Sequence, residues 1–168
     1  YNEARKFQRQ GQLDKAINTY RNYLCEPTSK GVLSEKELAM YTDALVQLMN
    51  TFQSKGEPEE CTSALQEIFN SSHILQNECL RDFYSVMGYA LSRTENMNKA
   101  EETTLKALTL PLHHATPERY FRDYAYAAAV FYSNTEYQKE VIDWCKEALA
   151  QAQLCKNTSG QQWVMSML

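Results

Sequence analysis

A chain of 168 residues with 43% apolar content can bury roughly 70% of the surface that its unfolded form exposes, enough for a stable domain without disulfide or metal staples. The net charge of -4 argues against a phosphate-binding surface, because nucleic-acid modules carry a basic face. The apolar run at residues 125–132 is too short to cross a bilayer. No nucleic-acid partner and no membrane insertion are therefore expected.

In chain order, residues 1–10 read as the tail of a first helix, with Ala4 and Phe7 inward and Gly11 as its C-terminal cap. Residues 13–25 are its partner, carrying Ala16, Ile17, Tyr20, Tyr23 and Leu24 on one face. A loop with Pro27 and Gly31 leads to Ser34-Glu35-Lys36-Glu37, a capping box that starts the next helix by satisfying its free amides. That helix, 35–54, is amphipathic through Leu38, Tyr41, Leu45, Leu48, Met49 and Phe52. Gly56 and Pro58 mark its end and a fresh start, and 58–71 buries Cys61, Leu65, Ile68 and Phe69.

After a break at residues 71–73, the pattern predicts a single long helix over 75–93 and a partner over 97–110, stopped by Pro111. Thr116-Pro117-Glu118 then reads as a cap followed by proline in the first turn, opening a hairpin over 118–154 whose alanines, Ala125, Ala127, Ala128 and Ala129, permit close helix contact. Ser159-Gly160-Gln161-Gln162 reads as a further capping box, and 160–168 as the start of a fifth hairpin. No stretch alternates with strand period.

The unit repeated through the chain is clearest in Tyr84, Met87, Gly88 and Leu91, followed by Ala100 and Ala107: two amphipathic helices with small residues where their backbones approach. Other copies run through Ala4, Phe7, Gly11, Ala16 and Tyr20; through Leu45, Leu48, Met49, Phe52, Gly56, Cys61, Leu65 and Ile68; and through Ala125, Ala128, Ala129, Tyr132, Val141, Cys145 and Ala148. This pattern resembles the tetratricopeptide repeat. The anchors Ala16, Cys61, Ala100 and Val141 lie 45, 39 and 41 residues apart, more than the ~34 of that family's usual unit, so the copies resemble its degenerate, long-helix versions. The resemblance implies an all-α fold, a right-handed superhelical solenoid of about four hairpins (1–25, 35–71, 75–110 and 118–154). The whole of 1–168 is expected to be one domain of a longer protein.

Catalysis is not expected, and neither is a cofactor or metal. His73, His113 and His114 fall in loops or helix ends without three ligands at metal spacing, and no phosphate loop, dinucleotide fingerprint or nucleophile elbow occurs. The five cysteines, no two closer than ten residues, form no zinc knuckle or redox pair, and Cys61 and Cys145 read as small core residues. Most of the eleven tyrosines, such as Tyr20, Tyr84 and Tyr132, read as packing residues. The acids Glu57, Glu59 and Glu60 sit in a first helical turn, where they offset the helix dipole.

In repeats of the resembled type the first helix of each hairpin lines a concave groove. In register, the groove residues are Arg5, Gln8 and Arg9; Asp43, Val46, Asn50 and Gln53; Asp82, Ser85, Tyr89, Ser92 and Arg93; and Asp123, Tyr126, Val130, Ser133 and Asn134. Asp43, Asp82 and Asp123 recur 39 and 41 residues apart, and a column of carboxylates favours a basic protein or peptide partner. Family members that grip a C-terminal carboxylate use Lys and Asn; Asn50 fits, but Val46 stands where Lys is expected, so that activity is not carried over. The expectation is a non-enzymatic recognition scaffold. The degenerate copies and long helices are similar in style to repeat regions of bacterial sensor proteins that carry a histidine kinase or DNA-binding output. A sensor domain would be periplasmic. The alternative is a cytosolic assembly or chaperone adaptor.

Overall fold

In the computed structural model of this chain, residues 1–26 and 33–168 are described, and they form ten α-helices and one 3-10 turn with no strand among them. Pro27 and Gly31 lie outside the described residues. Helices α1 (Asn2–Arg9) and α2 (Leu13–Cys25) are joined through Gly11, whose φ of 73° lies in the left-handed region that ends helices cheaply only at glycine. Helix α3 (Glu35–Lys55) starts as the capping box predicts, with the Ser34 hydroxyl accepting from the Glu37 amide at 3.2 Å. Gly56, at φ 70°, ends it, and Pro58 opens α4 (Pro58–Ser71).

The helix predicted over 75–93 is instead two. Helix α5 (His73–Asn77), capped by Ser72, turns at Glu78 and Cys79 into α6 (Leu80–Ser92). The Asn77 side chain donates to the His73 carbonyl at 2.8 Å, and the amides of Glu78 and Cys79 both donate to the Ile74 carbonyl at 2.9 Å. A local side chain thus competes with the backbone ladder and closes the turn. Because Leu75, Cys79 and Phe83 stay buried on both sides of the break, the apolar spacing reads straight through it.

Helix α7 (Met97–Thr109) stops two residues before Pro111. In α8 (Pro117–Phe131) the Thr116 hydroxyl accepts from the Arg119 amide at 3.3 Å. A 3-10 turn (Thr135–Tyr137) leads into α9 (Gln138–Leu154). The last helix, α10 (Thr158–Met167), is capped by Asn157, whose side-chain oxygen accepts from the Gly160 amide at 2.8 Å. The cap is therefore two residues earlier than the Ser159 box predicts, since Asn157 offers its oxygen at the ideal three-residue reach.

The helices pack as hairpins that meet in chain order. Helix α1 pairs with α2, α3 with α4, α6 with α7 and α8 with α9; α2 then packs on α3 and α4, α6 on α3 and α4, α8 on α6 and α7, and α10 on α8 and α9. Two glycines set the closest approaches. A Cβ on Gly88 would lie 3.2 Å from the Thr104 amide nitrogen and 3.3 Å from the Ala100 carbonyl, so α6 and α7 touch backbone to backbone where the small residues predict it. A Cβ on Gly160 would lie 2.6 Å from Phe121, which seats α10 on α8.

Between hairpins the core is aromatic and alanine-rich. Phe69 of α4 stacks on Phe83 of α6 at 4.4 Å, and Ala125, Ala127 and Ala128 are wholly buried in α8. The Tyr41 hydroxyl donates to the Leu24 carbonyl at 2.6 Å and meets the Ser72 hydroxyl at 2.5 Å, tying α2, α3 and α5 together. Cys61 and Cys145 are buried as expected, as is Cys79; burial pushes the thiols of Cys61 and Cys79 up to about 12. Tyr132, read as a packing residue, is instead 57% exposed, because α8 ends at Phe131 and the ring lies beyond its last packed turn.

Candidate functional site

The first helices of the hairpins meet one another in turn, α3 with α6, α6 with α8 and α8 with α10. Gln8 of α1 donates to Gln47 of α3 at 3.0 Å, Tyr1 donates to Asp43, and three rings from α6, α8 and α10 meet. Tyr89 lies parallel to Tyr126 with ring centroids 4.4 Å apart and planes 9° apart, and Trp163 meets both edge-on at 6.1 Å. Offset stacks and edge contacts of this kind add about 0.5–1.5 kcal/mol each beyond burial. Tyr126 is buried, whereas Tyr89 and Trp163 are half-buried and flank it.

The three aspartates that share a register do not share an environment, and the carboxylate column has to be corrected. Asp43 is half-buried and takes hydrogen bonds from Tyr1 and, at 3.4 Å, from Gln47. Asp82 and Asp123 are buried inside the chain's own arginines. Arg119 grips Asp82 with both Nε (3.0 Å) and Nη2, and Arg122 Nη2 donates to the same carboxylate at 3.0 Å. Arg81 Nε donates to Asp123 at 2.8 Å. A carboxylate taken out of water needs such charge-assisted partners, so neither Asp82 nor Asp123 is presented to a basic ligand.

The same arginines hold the connector between α7 and α8. Arg81 Nη1 donates to the Leu110 carbonyl at 2.8 Å, and Arg119 Nη1 donates to the carbonyls of His113 and His114. His114 Nδ1 also lies 3.3 Å from Glu35, and among the described residues no cluster of three His, Cys, Asp or Glu side chains is placed to hold a metal ion. The cluster at the α6–α8 seam joins the guanidiniums of Arg81, Arg119 and Arg122 to the carboxylates of Asp82 and Asp123, three cations against two anions. Arg122 Nε and Asp123 Oδ1 are buried there without partners. Burial pushes the Asp123 carboxyl up, against the pull of Arg122 and Arg81. Burial likewise raises the Tyr126 hydroxyl, while Arg122, four residues away and so on the same stripe of α8, draws it down.

The remaining groove residues divide. Arg5, Val46 and Asn50 are half-buried and Arg9, Arg93 and Ser133 exposed, while Ser85 and Val130 are buried. Gln53 is half-buried, and its Nε2 is a buried donor without a partner. Gln8 also accepts from the Tyr20 hydroxyl at 2.6 Å, and the Ser92 hydroxyl donates to the Tyr89 carbonyl at 2.6 Å. Asn134 is already engaged: it donates to Glu101 at 3.1 Å and caps the 3-10 turn by accepting from the Glu136 amide at 3.0 Å. Four residues of this face escaped sequence reasoning, namely Arg81, Arg119, Arg122 and Trp163. The signal for two of them was present, since Arg81-Asp82 and Arg122-Asp123 are the same dipeptide recurring 41 residues apart.

A cleft of about 540 Å³ between α2, α3 and α4 is acidic, but Lys55 bridges Asp14 and Glu57 across it and Arg21 pairs with Glu67. No protein-family model matches the chain, and neither does a curated protein or a solved structure.

Proposed function

We propose that this chain is a non-enzymatic recognition scaffold, a tetratricopeptide-like stack of helical hairpins that takes an extended segment of a partner protein along the face shared by α3, α6, α8 and α10. The observation that carries this reading is the convergence of Tyr89, Tyr126 and Trp163 from three successive hairpins. Aromatic anchors of which two, Tyr89 and Trp163, are half-buried and so partly open to a partner match the composition of protein-binding hot spots. Hairpins that meet in chain order support the stacked arrangement.

The test is selection of a random phage-displayed peptide library on the purified chain, followed by binding of the selected peptides to Tyr89→Ser and Trp163→Ser variants. Helicity is followed by circular dichroism. Selected peptides are expected to weaken by about tenfold or more on each variant, the usual cost of truncating a central aromatic anchor. Unchanged binding by variants that keep their helicity would overturn the reading.

A further inference from the structure

The acidic cleft between α2, α3 and α4 holds about 540 Å³, within the range of small-molecule sites. Its two long walls are stripes of one spacing. Asp14, Ile17, Asn18 and Arg21 stand at i, i+3, i+4 and i+7 on α2, and Glu60, Ser63, Ala64 and Glu67 repeat that spacing on α4. A stripe of this span is about 10 Å long. Arg21 pairs with Glu67 at one end, and at the other Lys55 links Asp14 to Glu57. Ile17, Phe52 and Ala64, all buried, form an apolar floor.

The charges of the cleft do not balance. Five carboxylates line it against the cations of Arg21 and Lys55, which leaves three negative charges over, and Glu59 and Glu60 enter no ion pair among the described residues. The cleft also displays the kind of group that it accommodates. Lys55 places an ammonium on an aliphatic stem across it, 2.5 Å from Asp14 and 3.2 Å from Glu57. The hydrogen bond to Asp14, and then that to Glu57, raise the Lys55 pKa above its ordinary value, so these carboxylates favour a charged ammonium between them. Among the described residues no three carboxylates converge to hold a metal ion. Along the middle of both walls the backbone is satisfied within the helix, so a peptide main chain finds few partners there.

We infer that this cleft binds a linear aliphatic polyamine, with its ammonium groups among the carboxylates of Asp14, Glu57, Glu59 and Glu60 and its methylenes along Ile17, Phe52 and Ala64. Such a molecule repeats what the Lys55 side chain does, an apolar stem laid on apolar surface with a charged head among acceptors. Asn18 and Ser63, exposed midway along the walls, offer neutral oxygens to an inner ammonium. The cleft shares no residue with the ring cluster, so the inference is independent of the groove reading.

The probes are spermidine, putrescine, hexaamminecobalt(III) and a blocked trilysine peptide, titrated calorimetrically at low salt, with the site located by backbone amide shifts in a nitrogen–proton NMR correlation. Spermidine is expected to shift amides of α2 and α4 and to bind about threefold more tightly than putrescine, the effect of one further exposed ion pair. Glu60→Gln should weaken spermidine about threefold for the same reason. Lys55→Met, which frees Asp14 and Glu57 for the ligand, should instead tighten it about threefold. Circular dichroism checks that both variants keep their helicity.

Equal binding of hexaamminecobalt(III), which carries the same charge as spermidine without methylenes, would overturn the polyamine and leave bare charge attraction. Tighter binding of trilysine would overturn the free polyamine in favour of a protein segment. Amide shifts away from α2 and α4, or folded variants that bind spermidine as the wild type does, would remove the site altogether. Tyr89→Ser and Trp163→Ser are expected to leave spermidine binding unchanged, so failure of either reading is seen separately from the other.

Discussion

Arg81 Nε donates to Asp123 Oδ2 at 2.8 Å across the α6–α8 seam, and the neighbour of each residue returns the gesture, Arg122 donating to Asp82 at 3.0 Å. The two Arg-Asp dipeptides exchange partners between hairpins. Each charge is neutralised by the other copy of the unit, so the pairing exists only when the hairpins are stacked in this register.

Removing one member of this exchange leaves a buried charge without its counter-ion. Asp82→Ala strands Arg119 and Arg122 together and is expected to cost about 3–5 kcal/mol in urea unfolding. Asp43→Ala, at a half-buried position with no ion pair, is expected to cost under about 1 kcal/mol. Equal costs at the two positions would show that the shared register, rather than the buried pairing, governs both.

The raised carboxyl of Asp123 makes an acid-side prediction with a definite sign. Because burial lifts its folded value above the unfolded ~3.9, the folded state binds the proton more tightly. This group's contribution is fully favourable below the unfolded value and is lost as pH rises through the folded one. Asp123→Asn should remove that component, so the stability difference between wild type and variant, measured by urea unfolding over a pH series, should shift in favour of the wild type as the pH falls from neutral. A difference independent of pH would show that Asp123 does not titrate as described.

Gly88 admits no side chain. Gly88→Ala is expected to destabilise by about 1–3 kcal/mol through overpacking against Thr104 and Ala100, and Thr104→Ala, which removes the obstructing hydroxyl and leaves no buried partner behind, should recover part of the loss. The measurement is a double-mutant thermal unfolding cycle. Additive effects would mean that the two side chains do not compete for the same space.

The cysteines should sort by exposure. Cys25 is exposed and Cys155 half-buried, while Cys61, Cys79 and Cys145 are buried with thiols pushed up by burial. A thiol reagent at mildly alkaline pH is therefore expected to modify Cys25 and Cys155 in the native protein and the other three only after unfolding. Rapid modification of Cys61 would contradict the packing of α4.

Local signals in the chain are reliable where the physics is local. The Ser34 cap, the left-handed turns at Gly11 and Gly56, the Pro58 start and the α6–α7 approach at Gly88 all follow from spacings of a few residues. The break at Asn77 escapes because the apolar period continues through it. The environment of the aspartates escapes for a different reason: register places Asp82 and Asp123 on first helices, but their burial depends on which arginines a neighbouring hairpin delivers. Trp163 escapes likewise, since its contacts with Tyr89 and Tyr126 join helices far apart in the chain.

The connector before α8 is fastened by the side chains that settle the charges, with Arg81 on Leu110 and Arg119 on His113 and His114. A twist applied to one hairpin cannot be taken up by slack in that strand of chain without breaking an ion pair in low dielectric. The seam should therefore act like a welded joint, passing a displacement of α6 on to α8 and to the rings that these two helices share.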